Sequence, residues 1–264
     1  MTDDLLRCAL AVNQSMFALG NETFEADGAV FVRNRELPSM RDANHVAHVT
    51  ARTPEEIEPL LARADREFAG LPYRRFDLDP FTPPEFEARI VCDGYRPHEM
   101  LYQLLEGELR LPCKPHDVRV VDSDAAWRDY EELNLIDWKE YNETLDENSG
   151  RWTADVMFRN RRIKSPPARF WLAYVDDKPV AFLASWEGTE GVGLVDDIST
   201  HAEYRHRGLA TALIHAGVAD ARSRGAGPVT VVADPHDTPK DMYEALGFRP
   251  IAIKRIYWKK ALSS

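Results

Sequence analysis

Apolar and polar positions divide the second half of this 264-residue chain into a regular series of elements. Val192, Leu194, Val195 and Ile198 lie in a β-rich stretch. After a short turn, Leu209, Ala212, Leu213 and Ala216 recur on one face of a helix that runs to about Arg224. Gly225 and Gly227 close that helix, and Pro228 to Ala233 reads as a buried strand. Thr238-Pro239-Lys240-Asp241 opens another helix: Thr238 suits the N-cap, Pro239 the first helical position and Asp241 the first turn. Gly247 is placed to end it as a left-handed C-cap, and Phe248, Ile251, Ile253, Ile256 and Trp258 continue as a strand. Upstream, Val118 to Val121 predicts a strand and Asp124 to about Tyr141 a helix bearing Trp127, Tyr130 and Trp138. Arg151 to Lys164 predicts a second helix, stopped by Pro166-Pro167. Phe170 to Val175 and Val180 to Trp186 form a hairpin around Asp176-Asp177-Lys178-Pro179.

The first 113 residues carry a similar punctuation. Thr53-Pro54-Glu55-Glu56 and Thr82-Pro83-Pro84-Glu85 repeat the helix start seen at Thr238, and Gly94-Tyr95-Arg96-Pro97 echoes Gly247-Phe248-Arg249-Pro250. The pattern predicts a strand at 46–49 and a helix at 55–68 with Ile57, Leu60, Leu61 and Ala64 inward. A strand at 73–78, a helix at 86–92 ending at Gly94 and a strand at 100–105 follow. The chain thus reads as two α/β halves, 1–113 and 114–264, joined near Leu111-Pro112-Cys113-Lys114-Pro115. An unrelated α/β lid is the other reading of the first half, because capping chemistry is generic.

Charge is uneven. Residues 1–113 hold 12 Arg, no Lys and 20 acidic side chains, whereas 114–264 hold 21 basic and 24 acidic ones; the whole chain carries −11. That balance disfavours nucleic-acid and acidic-membrane partners and steers cations toward the protein. The exception is Arg159-Asn160-Arg161-Arg162-Ile163-Lys164, either a solvated helix face or a contact to an anionic acceptor. No apolar run is long enough to span a membrane, and the acidic MTDDLLRCALAV is unlike a basic signal peptide, so a cytoplasmic location is expected. Three scattered cysteines, Cys8, Cys92 and Cys113, argue against a disulfide framework, and no metal site is expected.

The chemistry concentrates between the strand ending at Thr200 and the helix beginning at Leu209. A helix that starts after such a turn leaves backbone N–H groups unpaired at its positive dipole end, which is an anion site. Gly208 and small Ala210 allow close approach of a pyrophosphate, Arg205 and Arg207 add charge, and Thr211 can add a hydroxyl. The 50–54 turn of the first half, Thr50-Ala51-Arg52-Thr53-Pro54, lacks the Arg-x-x-Gly-x-Gly/Ala pattern.

Arg205, Gly208 and Ala210, followed by Tyr243-Glu244-Ala245-Leu246-Gly247-Phe248, resemble the signature segments of the GNAT acyltransferase superfamily; the resemblance covers about 116–260. It implies a mixed, mostly antiparallel α/β sheet flanked by helices. The tandem layout is similar to the mycothiol synthase type, with the first half a degenerate GNAT-like unit. It further implies an N-acetyltransferase moving an acetyl group from acetyl-CoA to a primary amine of a small molecule or peptide by direct attack. Ile198, Ser199, Thr200, Arg205, His206, Arg207, Gly208, Leu209, Ala210 and Thr211 would hold the donor, with Ser199 and Thr200 matching the strand segment that holds the pantetheine arm.

Tyr243 matches the position that protonates the departing thiolate, although a packing Tyr is the alternative. Asp196 and Asp197 are the candidates for the general base: alternation places Asp196, Ile198 and Thr200 on one face and Asp197 and Ser199 on the other, so one Asp alone can face the donor, and Asp196 shares the face on which relatives carry their base; the alternative is that both hold loops or bind the ammonium electrostatically. The commonest base position of the family is occupied by Leu194. Relatives form the acceptor wall from the two helices after the first strand, which here carry Trp138, Tyr141, Trp152 and Phe158, residues that equally suit a core. A non-catalytic acyl-CoA-binding sensor is the second functional reading, and neither the amine nor the oligomeric state is legible.

Overall fold

The computed structural model describes residues 1–141 and 147–260, with side chains described outside 140–153. The first half comprises α1 (Asp3–Ala18), β1 (Glu22–Ala26), β2 (Ala29–Arg33), β3 (His45–Ala47), α2 (Pro54–Glu67), β4 (Tyr73–Leu78), α3 (Pro84–Cys92) and β5 (Arg96–Leu105). The second comprises β6 (Asp117–Val120), α4 (Asp124–Tyr141), α5 (Glu147–Lys164), β7 (Arg169–Val175), β8 (Lys178–Trp186), β9 (Gly193–Thr200), α6 (Leu209–Ser223), β10 (Val229–Ala233), α7 (Pro239–Leu246) and β11 (Arg249–Lys260).

Three elements escape the pattern reading. The helix α1 has Thr2 as its cap, whose hydroxyl accepts from the Leu5 N–H at 3.3 Å, and Asp3 and Asp4 at its positive end. The strands β1 and β2 are joined by Asp27-Gly28, both at positive φ, the backbone that a tight hairpin turn matching strand twist requires. The β7–β8 hairpin uses Asp176 and Asp177, again at positive φ, in the predicted turn.

One mixed sheet runs through both halves, in the order β1-β2-β3-β4-β11-β5-β10-β9-β8-β7-β6. Among the described strands only β3–β4 and β9–β10 pair parallel; the rest are antiparallel. The halves interlock through their last strands: β5 pairs with β10 and β11, and β11 pairs with β4 and β5. The helices α6 and α7 cover one face of the second half through Leu209, Leu213, Val218, Tyr243 and Leu246. The helices α1 and α4 cover the other through Ala9, Val12, Met16, Tyr130 and Leu133. Close approach of α6 to the sheet depends on Gly217, where a Cβ would meet Leu183 Cδ2 at 2.8 Å and Val195 Cγ1 at 3.0 Å. A third core, around Phe31, Phe76, Phe86 and Leu60, lies in the first half.

Because β5 supplies a neighbour to β10 and to β11, a fragment of residues 114–264 lacks one partner of β10 and leaves β11 unpaired along its whole length. Circular dichroism should find no cooperative thermal transition in that fragment alone, and a transition restored on mixing with residues 1–113.

Candidate active site

Two cavities meet at the end of β9. The strands β9 and β10 pair over three positions, Gly193–Val229, Leu194–Thr230 and Val195–Val231, and then part. On the α6 side of the parting lies a cavity of about 740 Å³, lined by Ile198, Ser199, Thr200, Arg205, His206, Gly208, Leu209, Ala210, Thr211 and Tyr243, with residues of the turn before α7. Ten of the residues assigned to the donor or to acid catalysis from sequence are thus brought together. Arg207 is not among them. Its guanidinium lies 4.9 Å from the Tyr204 ring centroid and its Nη2 donates to the Glu203 carbonyl.

The start of α6 fits a pyrophosphate. Gly208, at φ +87°, turns the chain into the helix, a conformation glycine adopts without a Cβ clash. The first helical bond runs from Ala212 N–H to Gly208 C=O, so the N–H groups of Leu209, Ala210 and Thr211 have no carbonyl within the helix, and no acidic residue stands in the first turn. His116 Nε2, buried without a hydrogen-bond partner, lies 3.4 Å from where a Gly208 Cβ would stand. These groups suit the phosphates of a coenzyme A thioester.

Asp234 and Asp237 accept the backbone N–H groups of His236 and Thr238 at 2.7 Å each, tying down the turn before α7. Thr238 itself differs from expectation. Its backbone is already helical and its hydroxyl caps nothing, while its N–H donates to the Asp237 carboxylate. Gly247 ends α7 at φ +105°, as the pattern requires.

The corresponding end of the first half is filled from within. At α2, Glu56 accepts the N–H groups of Arg52 at 2.7 Å and Thr53 at 3.2 Å, and these bonds hold its carboxyl below the usual carboxylate range. Asp27 and Glu55 line the same small depression of about 280 Å³. Carboxylates therefore stand where an anion would have to sit.

The second cavity, about 390 Å³, lies on the other side of the parting and is lined from both halves, by α1, β4, β5, α5, β9 and β11 among others. Asp196 and Asp197 both line it, which corrects the alternation expected for this strand. Asp196 pairs with Ala184 and Ser199 with Phe182, so Asp197 and Ile198 share the single position opposite Leu183. This is a β-bulge, with Asp197 at φ +53°. It turns both carboxylates inward, and Ile198, Ser199 and Thr200 all border the donor cavity. The Ser199 hydroxyl itself donates to the Asp137 carboxylate.

The two carboxylates differ in environment. Asp197 accepts from Arg161 Nε at 2.8 Å, Arg161 Nη2 at 2.7 Å and the Tyr130 hydroxyl at 2.8 Å, and despite burial these partners hold it below the usual carboxylate range. Asp196 accepts from one side chain among the described residues, Asn13 Nδ2 at 2.9 Å, and Asn13 Oδ1 in turn accepts from the Tyr102 hydroxyl. Burial, with the Asp197 charge beside it, pushes Asp196 up to about 6. Tyr243 is 4% exposed, and burial first, then the charges of Asp196 and Asp237, raise its phenol above the usual range.

Sequence reasoning missed Asn13 and Tyr130, because a polar residue on the apolar face of a helix carries no local sign of what it meets. The polar positions of α1 were the available signal. Phe158 is buried and Trp138 half-buried, and neither lines the two cavities; the side chains of Tyr141 and Trp152 lie outside the described residues. Among the described residues no group of His, Cys, Asp or Glu could hold a metal ion, and no helix is long and apolar enough to cross a membrane.

Residues 122–248 match the acetyltransferase (GNAT) family. The fold superposes on a GCN5-related N-acetyltransferase from Kribbella flavida with a TM-score of 0.69, at 18% identity over 97% of this chain and 96% of that one. It superposes equally on a conserved protein of unknown function from Staphylococcus epidermidis ATCC 12228, with a TM-score of 0.70 at 16% identity over 92% and 96% of the two chains. A tandem GNAT protein from the clavulanic acid biosynthesis pathway has a TM-score of 0.58 at 17% identity, over 83% of this chain and 76% of its own. At these identities the likeness is one of fold. No curated protein sequence matches the chain.

An Asp that titrates near 6 when folded and near 3.9 when unfolded binds its proton more tightly in the native state. Its contribution to stability is therefore present below about pH 4 and lost as pH rises through about 6. Asp196→Asn should raise stability at pH 7.5 by roughly 1–3 kcal/mol, and the gain should vanish below about pH 4. Urea midpoints measured across that range check the sign.

Proposed function

With residues 122–248 forming a GNAT acetyltransferase domain, we propose that the protein transfers an acetyl group from acetyl-CoA to a primary amine of a small molecule or short peptide. The observation that carries this reading is the pairing of Asp196 with Tyr243. The two side chains line adjoining cavities, the Asp196 charge helps to keep the Tyr243 phenol protonated, and the two differ in the proton each holds near neutral pH.

Acetyl-CoA supplies an activated thioester. The start of α6 holds its phosphates through the N–H groups of Leu209, Ala210 and Thr211, with Arg205 and His206 at the rim. The exposed backbone of Ile198, Ser199 and Thr200, beyond the point where β10 parts from β9, is available to the pantetheine arm.

An amine arriving as ammonium must lose a proton before it can attack. Asp196 takes that proton: a carboxyl poised near 6 is mostly ionised at neutral pH yet far more basic than an ordinary Asp. Asp197 is engaged by Arg161 and Tyr130 and acts by position, holding α5 and α4 against the bulge. The amine nitrogen bonds to the acyl carbon, the C–S bond breaks with its electron pair going to sulfur, the thiolate takes the Tyr243 hydroxyl proton, and the second proton released by the acylated nitrogen restores the phenol. Burial keeps that phenol protonated and hence a donor.

In this reading residues 1–113 form a silent unit that binds no donor, since Glu56 and its acidic neighbours occupy the end of α2. The half still serves the reaction, because Asn13 and Tyr102 set the Asp196 carboxylate and β5 borders the acceptor cavity.

Isothermal titration with acetyl-CoA should give one site per chain, and Ala210→Glu, which places a carboxylate at the open end of α6 without straining Gly208, should abolish it. Binding at two sites would sink the silent half; no binding by the parent would sink the donor assignment. Tyr243→Phe should lower turnover by roughly 10–100-fold with acetyl-CoA affinity unchanged. Turnover by the parent should rise with pH through about 6 and lose that step in Asp196→Asn. A rate unaffected by both substitutions, or no turnover with any amine despite tight donor binding, would favour a non-catalytic acyl-CoA sensor.

A further inference from the structure

We infer that the acceptor is an amino acid, carrying a carboxylate beside its reactive amine, and that Lys164 and Arg161 hold that carboxylate in the 390 Å³ cavity. The inference rests on the acyl-transfer reading above and names the substrate class of the same site.

Asn160, Arg161 and Lys164, on two consecutive turns of α5, face this cavity. Lys164 is 5% exposed, and its ammonium stands 5.2 Å from the centre of the Phe17 ring. Among the described residues no carboxylate lies within ion-pair distance of it. The carboxylates around it are already engaged: Asp42 accepts from Arg75 Nη1 at 2.6 Å, Asp197 is held by Arg161, and Asp196 accepts from Asn13. Arg161 spends two nitrogens on Asp197, and its third, Nη1, is buried without a partner. Asn160 is 1% exposed and its amide oxygen is likewise unpartnered.

Buried donors without acceptors are rare in folded chains, because each has given up water for nothing. A buried ammonium needs an anion or a rich set of acceptors for the same reason. Here an ammonium and a spare guanidinium nitrogen line one cavity, the first with no carboxylate among the described residues at ion-pair distance and the second with no acceptor. A carboxylate has the two oxygens to meet both groups. The amide of Asn160 can present either end to the same ligand.

In the same cavity, Asp196 accepts an ammonium and relays its proton. The rest of the wall is largely apolar, with Met16, Phe17, Met100, Met157 and Phe170. A volume of about 390 Å³, at about 30 Å³ per water-sized unit, admits roughly a dozen heavy atoms, the scale of a free amino acid or a dipeptide. Neighbouring anchors for a carboxylate and for an ammonium, beside an apolar wall, describe an amino acid with an apolar side chain.

The test measures binding of free leucine, methionine, phenylalanine and 6-aminohexanoate, each beside its carboxamide, to the full chain with and without coenzyme A. At least one acid should bind ~10-fold or more tighter than its carboxamide. Lys164→Met should bring that acid down to the carboxamide's level while leaving acetyl-CoA affinity and the carboxamide's affinity unchanged, and Lys164→Arg should retain the preference. In turnover assays the loss should fall on KM for the acid and spare kcat. Carboxamides equal to their acids throughout, no binding of any of the four acids at millimolar concentration, or a Lys164→Met variant that weakens acid and amide alike would each overturn the inference. Acetyl-CoA titration separates this from failure of the parent reading: a chain that binds amino acids with the Lys164-dependent preference but no acetyl-CoA keeps the carboxylate subsite and loses the reaction.

Discussion

The exchange of β5 and β11 between the halves is the constraint on which the site depends. Each strand follows the capped helix of its own half, α3 or α7, and then pairs with strands of the other. The exchange makes one continuous sheet from two units, so their relative position is set by backbone hydrogen bonds along the whole length of β5 and β11 rather than by side-chain contacts alone. A cavity lined from both halves can therefore keep its shape. It also lets α1, the first element of the chain, pack on strands near its end: Ala9 C=O accepts from the Thr230 hydroxyl, and Leu10 C=O from the buried Lys254 ammonium.

Within that frame, the bulge at Asp197 converts a strand into a site. An Asp at φ +53° departs from the favoured backbone by roughly 1 kcal/mol, and Asp is among the residues that tolerate it best. The bulge is held by a fork of two bonds from Arg161 and one from the Tyr130 hydroxyl. A buried ion pair of this kind contributes little net stability once desolvation is counted, and its worth here is positional. With Asp197 committed, Asp196 is left buried against a neighbouring negative charge with no cation bonded to it among the described residues, and the result is one ordinary ion-pair carboxylate beside one basic one. Two adjacent residues of one type thus acquire different chemistry from their surroundings.

The two halves share an order of strand, turn, helix, parallel strand, capped helix and final strand, and differ at one helix end. At α6 the end is open, with a left-handed Gly208 and no acidic residue in the first turn; at α2 it is closed by the reciprocal bonds of Thr53 and Glu56. Pro54 and Glu56 make α2 the better capped helix, and capping removes the free N–H groups that an anion requires. Local stability and anion binding compete for the same donors.

Sequence alone determined what rests on short-range physics. Hydrophobic period placed β6 to β11 and their helices, Gly247 announced a left-handed cap, and Arg205 to Ala210 marked an open helix end; each depends on neighbours a few residues away. Asp27-Gly28 and the capped start of α1 were equally local signals, legible in principle though not taken up. Tertiary structure decided the rest. Strand alternation cannot foresee a bulge set by Arg161, 36 positions earlier in the chain, and so it split Asp196 from Asp197 when both face one cavity. No periodicity reveals that Asn13, 183 residues away, reaches Asp196, or that β5 and β11 cross between halves. Local rules set which backbone groups are free, whereas the proton a carboxylate holds depends on burial and on charges that only the assembled sheet brings within reach.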